Sequence, residues 1–239
     1  MTTFKFYQSG LRFGTFELTD QTITYSWLGS WEKTLNDDDN ANFMTYGELD
    51  IQATLMRWQD GGYANFSKAD HFKTAWGAEY QRADEHHWMN RGPKYAVDLI
   101  EAEGQIVGFQ VCARNLTSVL IQPGYEGYSV LTKWQEAGYA TTPGRAHQPF
   151  TAWAPMRDGI GLAATVILPA GSGPFPTVME RTPYGREVYV ASYMRYVLRG
   201  YAVVLQDVRG RGDSEGEWLP MIHEQDDGDD TLNWIAAQP

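Results

Sequence analysis

The strongest constraint on this chain is the stretch from residue 187 to 237, which alternates helix and strand patterns without interruption. Residues 201–208 form an apolar, β-branched run, as expected of a strand buried on both faces. Before it, residues 187–199 place Val190, Met194, Val197 and Leu198 at the spacing of one helical face. Gly200 stands where a helix commonly ends in a left-handed residue. After the run, residues 224–237 predict a second helix. Its first turns carry Glu224, Asp226, Asp227, Asp229 and Asp230, which suit the positive end of a helix dipole. Three strand-like runs precede these elements, at residues 150–154, 162–168 and 176–181. The turns Met156-Arg157-Asp158-Gly159 and 169–174 separate them.

The resulting order is β-β-β-α-β-α. It predicts an α/β fold with a largely parallel sheet covered by helices. Function in such sheets gathers in loops at the carboxyl ends of strands. Residues 182–187 and 209–221 are the two loops that qualify. A final helix with no strand after it leaves the sheet edge bare, so an incomplete sheet is expected.

Residues 1–140 read differently, as a β-rich accessory domain, with a turn-rich linker at 141–149. Residues 11–18 and 22–27 predict a hairpin across Thr19-Asp20-Gln21. Residues 95–102 and 105–112 predict another across Glu103-Gly104. Residues 118–122 end at Pro123-Gly124, and 128–134 are expected to pair with them. Residues 51–58 and 69–80 are open between helix and loop-rich structure.

The length of 239 residues suits one large domain or two small ones. The formal charge of −11 opposes binding to nucleic acid and to anionic membranes. The N-terminus lacks a signal-peptide pattern and no run is long and apolar enough to span a bilayer, so a cytoplasmic protein is expected. The single cysteine, Cys112, excludes an internal disulfide or a thiolate zinc cluster, and is expected to pack as a small hydrophobe. His71, His147 and His223 are isolated, and adjacent His86 and His87 would diverge on a strand. No metal or cofactor is therefore expected. Residues 36–40 hold three aspartates but no EF-hand pattern, and read as a solvated turn. Trp27, Trp31, Trp58, Trp76 and Trp88 are expected in the core.

Several ordered motifs resemble one family. They are Met156-Arg157-Asp158-Gly159, Arg181-Thr182-Pro183-Tyr184-Gly185, Gln206-Asp207-Val208-Arg209-Gly210, Ser214-Glu215-Gly216, and residues 227–234. Together they resemble the cocaine-esterase-like hydrolases, which share a fold with X-Pro dipeptidyl-peptidases of S15 type, α-amino-acid ester hydrolases and glutaryl acylases. The resemblance implies an α/β-hydrolase sheet and a Ser-Asp-His triad acting through an acyl-enzyme. The implied nucleophile sits on an elbow after the fifth strand, shortly beyond Pro239. The chain is thus expected to be an N-terminal fragment, inactive alone, of an acyl esterase or X-Pro dipeptidyl-peptidase-like enzyme. Small-molecule esters or short peptides are the implied substrates, and a homo-oligomer is possible. The alternative is a non-catalytic remnant or binding module whose N-terminal domain contacts a partner.

Within this resemblance Tyr184 takes the place of a tyrosine whose hydroxyl donates to the oxyanion. The loop after the third strand is where this fold draws one oxyanion donor. Gly212-Asp213-Ser214-Glu215-Gly216 also matches a nucleophile elbow by letter. Ser214 nevertheless follows its strand too late, and Pro220 prevents an immediate helix, so a structural serine is expected. Asp207, Arg209 and Arg211 are expected to fix loops through ion pairs.

Overall fold

A computed structural model describes the chain apart from residues 21, 29–31, 65–69, 93–95, 114–115, 141 and 239 and the side chain of Tyr46. It divides into two compact units, Met1–Pro143 and Gly144–Pro239.

The first unit begins with strands β1 (Thr2–Gln8), β2 (Leu11–Leu18), β3 (Ile23–Trp27) and β4 (Lys33–Thr34). Helices α1 (Asp37–Gly47) and α2 (Ile51–Gln59) follow. Then come β5 (His71–Lys73), β6 (Glu79–Arg82), β7 (His87–Asn90), β8 (Asp98–Ala102), β9 (Gln105–Cys112) and β10 (Thr117–Ile121). A 3₁₀ turn (Glu126–Tyr128) and helix α3 (Leu131–Glu136) close the unit. The strands form one ten-stranded sheet, β4-β3-β2-β1-β10-β9-β8-β7-β6-β5. Every pairing in it is antiparallel, including β1 with β10, which joins the two meanders.

Strand alternation sends the large rings of β1 and β2 to one face. Phe4 meets Trp58 of α2 edge-on at 5.2 Å, and Phe16 meets Phe43 of α1 at 5.2 Å. Leu131 of α3 packs with Tyr7, Ile100 and Val119 in a separate cluster. Of the tryptophans, Trp88 is fully buried and Trp76 is partly exposed, while Trp31 lies outside the described residues.

Four sequence expectations change here. Residues 36–40 start a helix: the Asn36 side chain caps α1 by accepting from the Asp39 N–H, with Asp37, Asp38 and Asp39 in the first turn. Polar residues that favour turns also favour helix N-termini, because both leave backbone N–H groups to satisfy. Residues 128–134 form no strand, since β10 has β1 and β9 as neighbours and α3 begins at Leu131. Within 69–80, His71–Lys73 and the start of Glu79–Arg82 pair as a hairpin, while Ala69 lies outside the described residues. Cys112 ends β9 and is exposed rather than packed. The hairpin across Glu103 and Gly104 is present, both residues having positive φ. Tyr95, the first residue of the strand expected over 95–102, and Gln21, in the expected turn of the 11–27 hairpin, lie outside the described residues.

The second unit contains β11 (Phe150–Pro155), β12 (Gly161–Ile167) and β13 (Thr177–Thr182). A 3₁₀ turn (Arg186–Tyr189) runs into α4 (Val190–Val197), followed by β14 (Ala202–Asp207) and α5 (Glu224–Ala236). The sheet order is β11-β12-β14-β13. Only β13 and β14 are parallel; β12 is antiparallel to both β11 and β14. The expected largely parallel sheet is corrected accordingly. The tight turn after β11 leaves no room for a crossover, so β12 must return antiparallel.

All six residues of β14 are buried. Val203 and Leu205 pack with Ile167 and α4, while Val204 packs with Ala164 and with Trp234 and Ile235 of α5. This is the three-layer α/β arrangement that covers both faces of a sheet. Residues 144–147 are tied into the same unit: the Gly144 N–H donates to Leu198 O at 2.8 Å and the His147 N–H to Leu168 O at 2.9 Å. Among the described residues no helix is long and apolar enough to cross a membrane.

Candidate active-site face

Strands β13 and β14 are parallel, so their carboxyl ends open on the same side. The chain leaves β13 through Pro183-Tyr184-Gly185-Arg186. Thr182 is buried, and its Oγ1 accepts from the Tyr184 N–H at 3.1 Å. Gly185 has φ +93°, which allows the sharp bend before the 3₁₀ turn. Tyr184 itself is 78% exposed, a large ring held out from a tightly bonded loop.

Arg186 anchors that loop. It is 4% exposed, and its own N–H donates to Asp207 Oδ1 at 2.8 Å. Its guanidinium donates to Asp207 Oδ2, to Asp213 Oδ2 at 2.8 Å and to Thr165 Oγ1 at 3.1 Å. Burial pulls the Arg186 pKa down, but hydrogen bonds to Asp213 and Asp207 outweigh it and hold the net value above the ordinary one. Asp207 is 1% exposed at the end of β14. A side chain at Gly212, which has φ +53°, would run into this carboxylate.

Sequence reasoning missed Arg186. The available signal was Asp207: a carboxylate at the end of a buried strand needs a cation beside it.

A second buried cluster fixes the loop after β14. Arg209 donates to both oxygens of Asp227 on α5, at 3.0 and 2.6 Å, and to Asp158 in the β11–β12 turn at 2.6 Å. Hydrogen bonds to Asp227 first, and to Asp158 next, raise the Arg209 pKa, and Asp158 is held below the usual carboxylate range by Arg209. Arg181 joins β13 to α5 through Glu224 at 2.8 Å and contacts Gln206 at 2.8 Å. Arg211 donates from Nε to the Pro183 carbonyl at 3.1 Å, with its guanidinium 5.6 Å from the Trp218 ring centre.

Ser214 is buried, donates to the Asp207 carbonyl at 2.7 Å and accepts from the Ala163 N–H at 2.9 Å. Its hydroxyl knits the β14 loop to β12, and an activated nucleophile would need a base at that position instead.

The expected loop residues therefore converge on one face, with Tyr184 and Arg211 as exposed polar side chains and Asp207, Arg209 and Ser214 as buried supports. His86 and His87 lie in the first unit. His87 Nδ1 bonds Asp84 at 2.8 Å, and His86 Nδ1 meets the Glu101 carbonyl at 3.0 Å. Among the described residues no three His, Cys, Asp or Glu side chains are grouped to hold a metal.

Residues 158–239 match the family model described as X-Pro dipeptidyl-peptidase (S15 family). Cocaine esterase from Rhodococcus sp. is 42% identical over 90 residues, covering 35% of this chain and 16% of the relative. An α-amino acid ester hydrolase structure has 28% identity and a TM-score of 0.35, covering 38% of this chain and 19% of that one. An aminopeptidase from a Thaumarchaeota archaeon has 25% identity and a TM-score of 0.32, covering 37% and 18%. The chain spans 16–17% of the length of the curated relatives it matches. Residues 158–239, within its second unit, are thus similar in sequence to the S15 family and to cocaine esterase.

Proposed function

We propose that the second unit supplies the oxyanion side of a serine hydrolase, with the Tyr184 hydroxyl as donor. The observation that carries this reading is an exposed phenol on a rigidly bonded loop at the carboxyl end of a parallel strand. A donor held in place before reaction stabilises developing negative charge without reorganising. The Arg186–Asp207 pair provides that fixity. The sheet order β11-β12-β14-β13, with β12 antiparallel, supports an α/β-hydrolase arrangement. In this reading the nucleophilic serine comes from polypeptide outside the 239 residues, because Ser214 is committed to two structural hydrogen bonds. The acyl chemistry is ester cleavage ahead of X-Pro peptide cleavage, following the identity to cocaine esterase.

The test uses the full-length product that contains this segment. A p-nitrophenyl ester and an X-Pro p-nitroanilide are compared as substrates for the native enzyme and for Tyr184→Phe. Loss of one oxyanion donor should lower kcat on the preferred substrate by about 100-fold or more, with folding unchanged. An unaltered kcat removes Tyr184 from the chemistry. Preference for the anilide reverses the substrate order.

A further inference from the structure

The Pro183–Tyr184 peptide unit is held at both of its polar groups. Its N–H, on Tyr184, donates to Oγ1 of buried Thr182 at 3.1 Å. Its carbonyl, on Pro183, accepts from Arg211 Nε at 3.1 Å. A peptide plane tied at both ends cannot swing about the chain, so the Cα of Tyr184, from which the phenol extends, keeps its place. The two ties differ in kind. Thr182 belongs to β13 and moves with the sheet. Arg211 reaches across from the loop after β14, where its own N–H is bonded to the Val208 carbonyl at 3.0 Å.

We infer that Arg211 is a positioning residue for Tyr184, acting through the Pro183 carbonyl to aim the phenol. This rests on the reading of Tyr184 as oxyanion donor. Arg211 itself touches no reacting atom. Arginine suits the task because its planar guanidinium donates sideways from Nε while its face lies toward an aromatic ring. Lysine offers a mobile point charge in its place. Arg211 lies on the surface, unlike Arg186 and Arg209, so its removal leaves no buried carboxylate unpaired. Its loss can therefore be studied in a folded protein.

The first measurement is made on the 239-residue chain, by backbone ¹⁵N relaxation of wild type and Arg211→Ala. The Tyr184 and Gly185 amides should fall from rigid order parameters of about 0.85 towards about 0.6. Amides of β12 and β14 should not change. Equal order at Tyr184 in both proteins overturns the inference. The second measurement is a double-mutant cycle in the full-length enzyme. Arg211→Ala should lower kcat about tenfold with KM within about twofold, since a small displacement of a positioned group lowers rate rather than affinity. Arg211→Lys should recover part of the loss. In a Tyr184→Phe background, Arg211→Ala should have no further effect. Losses that multiply in the double variant overturn the positioning role while leaving Tyr184 as donor. A Tyr184→Phe enzyme with full activity overturns the donor reading, and the catalytic part of this inference falls with it.

Discussion

The two units of this chain are held together by different forces. In the first, the largest fully buried side chains include Trp88, Phe4, Phe6, Phe16 and Phe109, and no charged residue among those described is buried. Its ion pairs range from exposed, as Lys73–Glu79 is, to half-buried, as Lys5–Glu126 and Arg82–Glu101 are. In the second, Arg186, Asp207, Arg209 and Asp227 are all buried within or beside the carboxyl end of the sheet. Apolar packing is non-directional and proportional to area, so it suits a scaffold. Charge-assisted pairs fix distance and angle, so they suit loops whose backbone must hold one shape while side chains face outward. The position of the charges thus marks where this molecule needs orientation more than cohesion.

The sharpest way to break that contrast is Asp207→Ala. It would remove the one buried carboxylate beside the Arg186 guanidinium, leaving it Thr165 and the exposed carboxylates of Asp213 and Glu187, and the loss of stability should be about 3 kcal/mol. Urea unfolding combined with amide exchange in β12 and β14 would measure it. A loss below about 1 kcal/mol would mean that the pair is a surface-like ornament.

A smaller effect should appear in alkali. Burial, only partly offset by Arg57, pushes the Tyr63 phenol up to about 12, and burial raises Tyr80 further still. An unfolded tyrosine ionises near 10. Below pH 10 both states are protonated; above it only the unfolded chain releases the proton. Stability is therefore lost as pH rises from about 10 to about 12, by about 2–3 kcal/mol for Tyr63 alone. In the second unit, burial and Glu180 also raise Tyr193 to about 12, but that ring is only partly buried. Tyr63→Phe should flatten the alkaline fall of the urea midpoint more than Tyr193→Phe does. An equal response would show that the two units share the alkaline weakness evenly.

The smallest of these effects concerns helix α1, whose cap is polar even though its packing is aromatic. Asn36→Ala should cost about 1 kcal/mol, read from thermal unfolding by circular dichroism. A silent substitution would show that Phe43 packing and the Asn40 bonds to α2 hold the helix without the cap.

Much of the second unit was readable from residue pattern. The 201–208 run gave β14, the spacing of Val190, Met194 and Val197 gave α4, and the acidic first turn gave α5. Strand direction was harder, because burial patterns say nothing about polarity; the short Asp158-Gly159 turn was the clue that β12 runs back along β11. In the first unit, hairpins with glycine turns stood out, while the start of α1 was hidden because Asn and Asp serve turns and caps alike. For the candidate site, strand counting and family resemblance pointed to Tyr184. The partnership of Arg186 with Asp207 was not read, since residues 21 positions apart meet only once β13 and β14 lie side by side. The tie from Arg211 to a backbone carbonyl leaves no mark in side-chain chemistry at all.

The ten-stranded sheet of the first unit narrows at both ends. Its outermost strands, β4 and β5, have only two and three residues, and they expose Lys33 and Lys73. A passing chain that tried to add itself as an eleventh strand would find few free backbone groups to pair with, and charged side chains beside them. A broad antiparallel sheet of this kind is otherwise a template for aggregation. Here the short rim strands limit its growth by edge-to-edge addition.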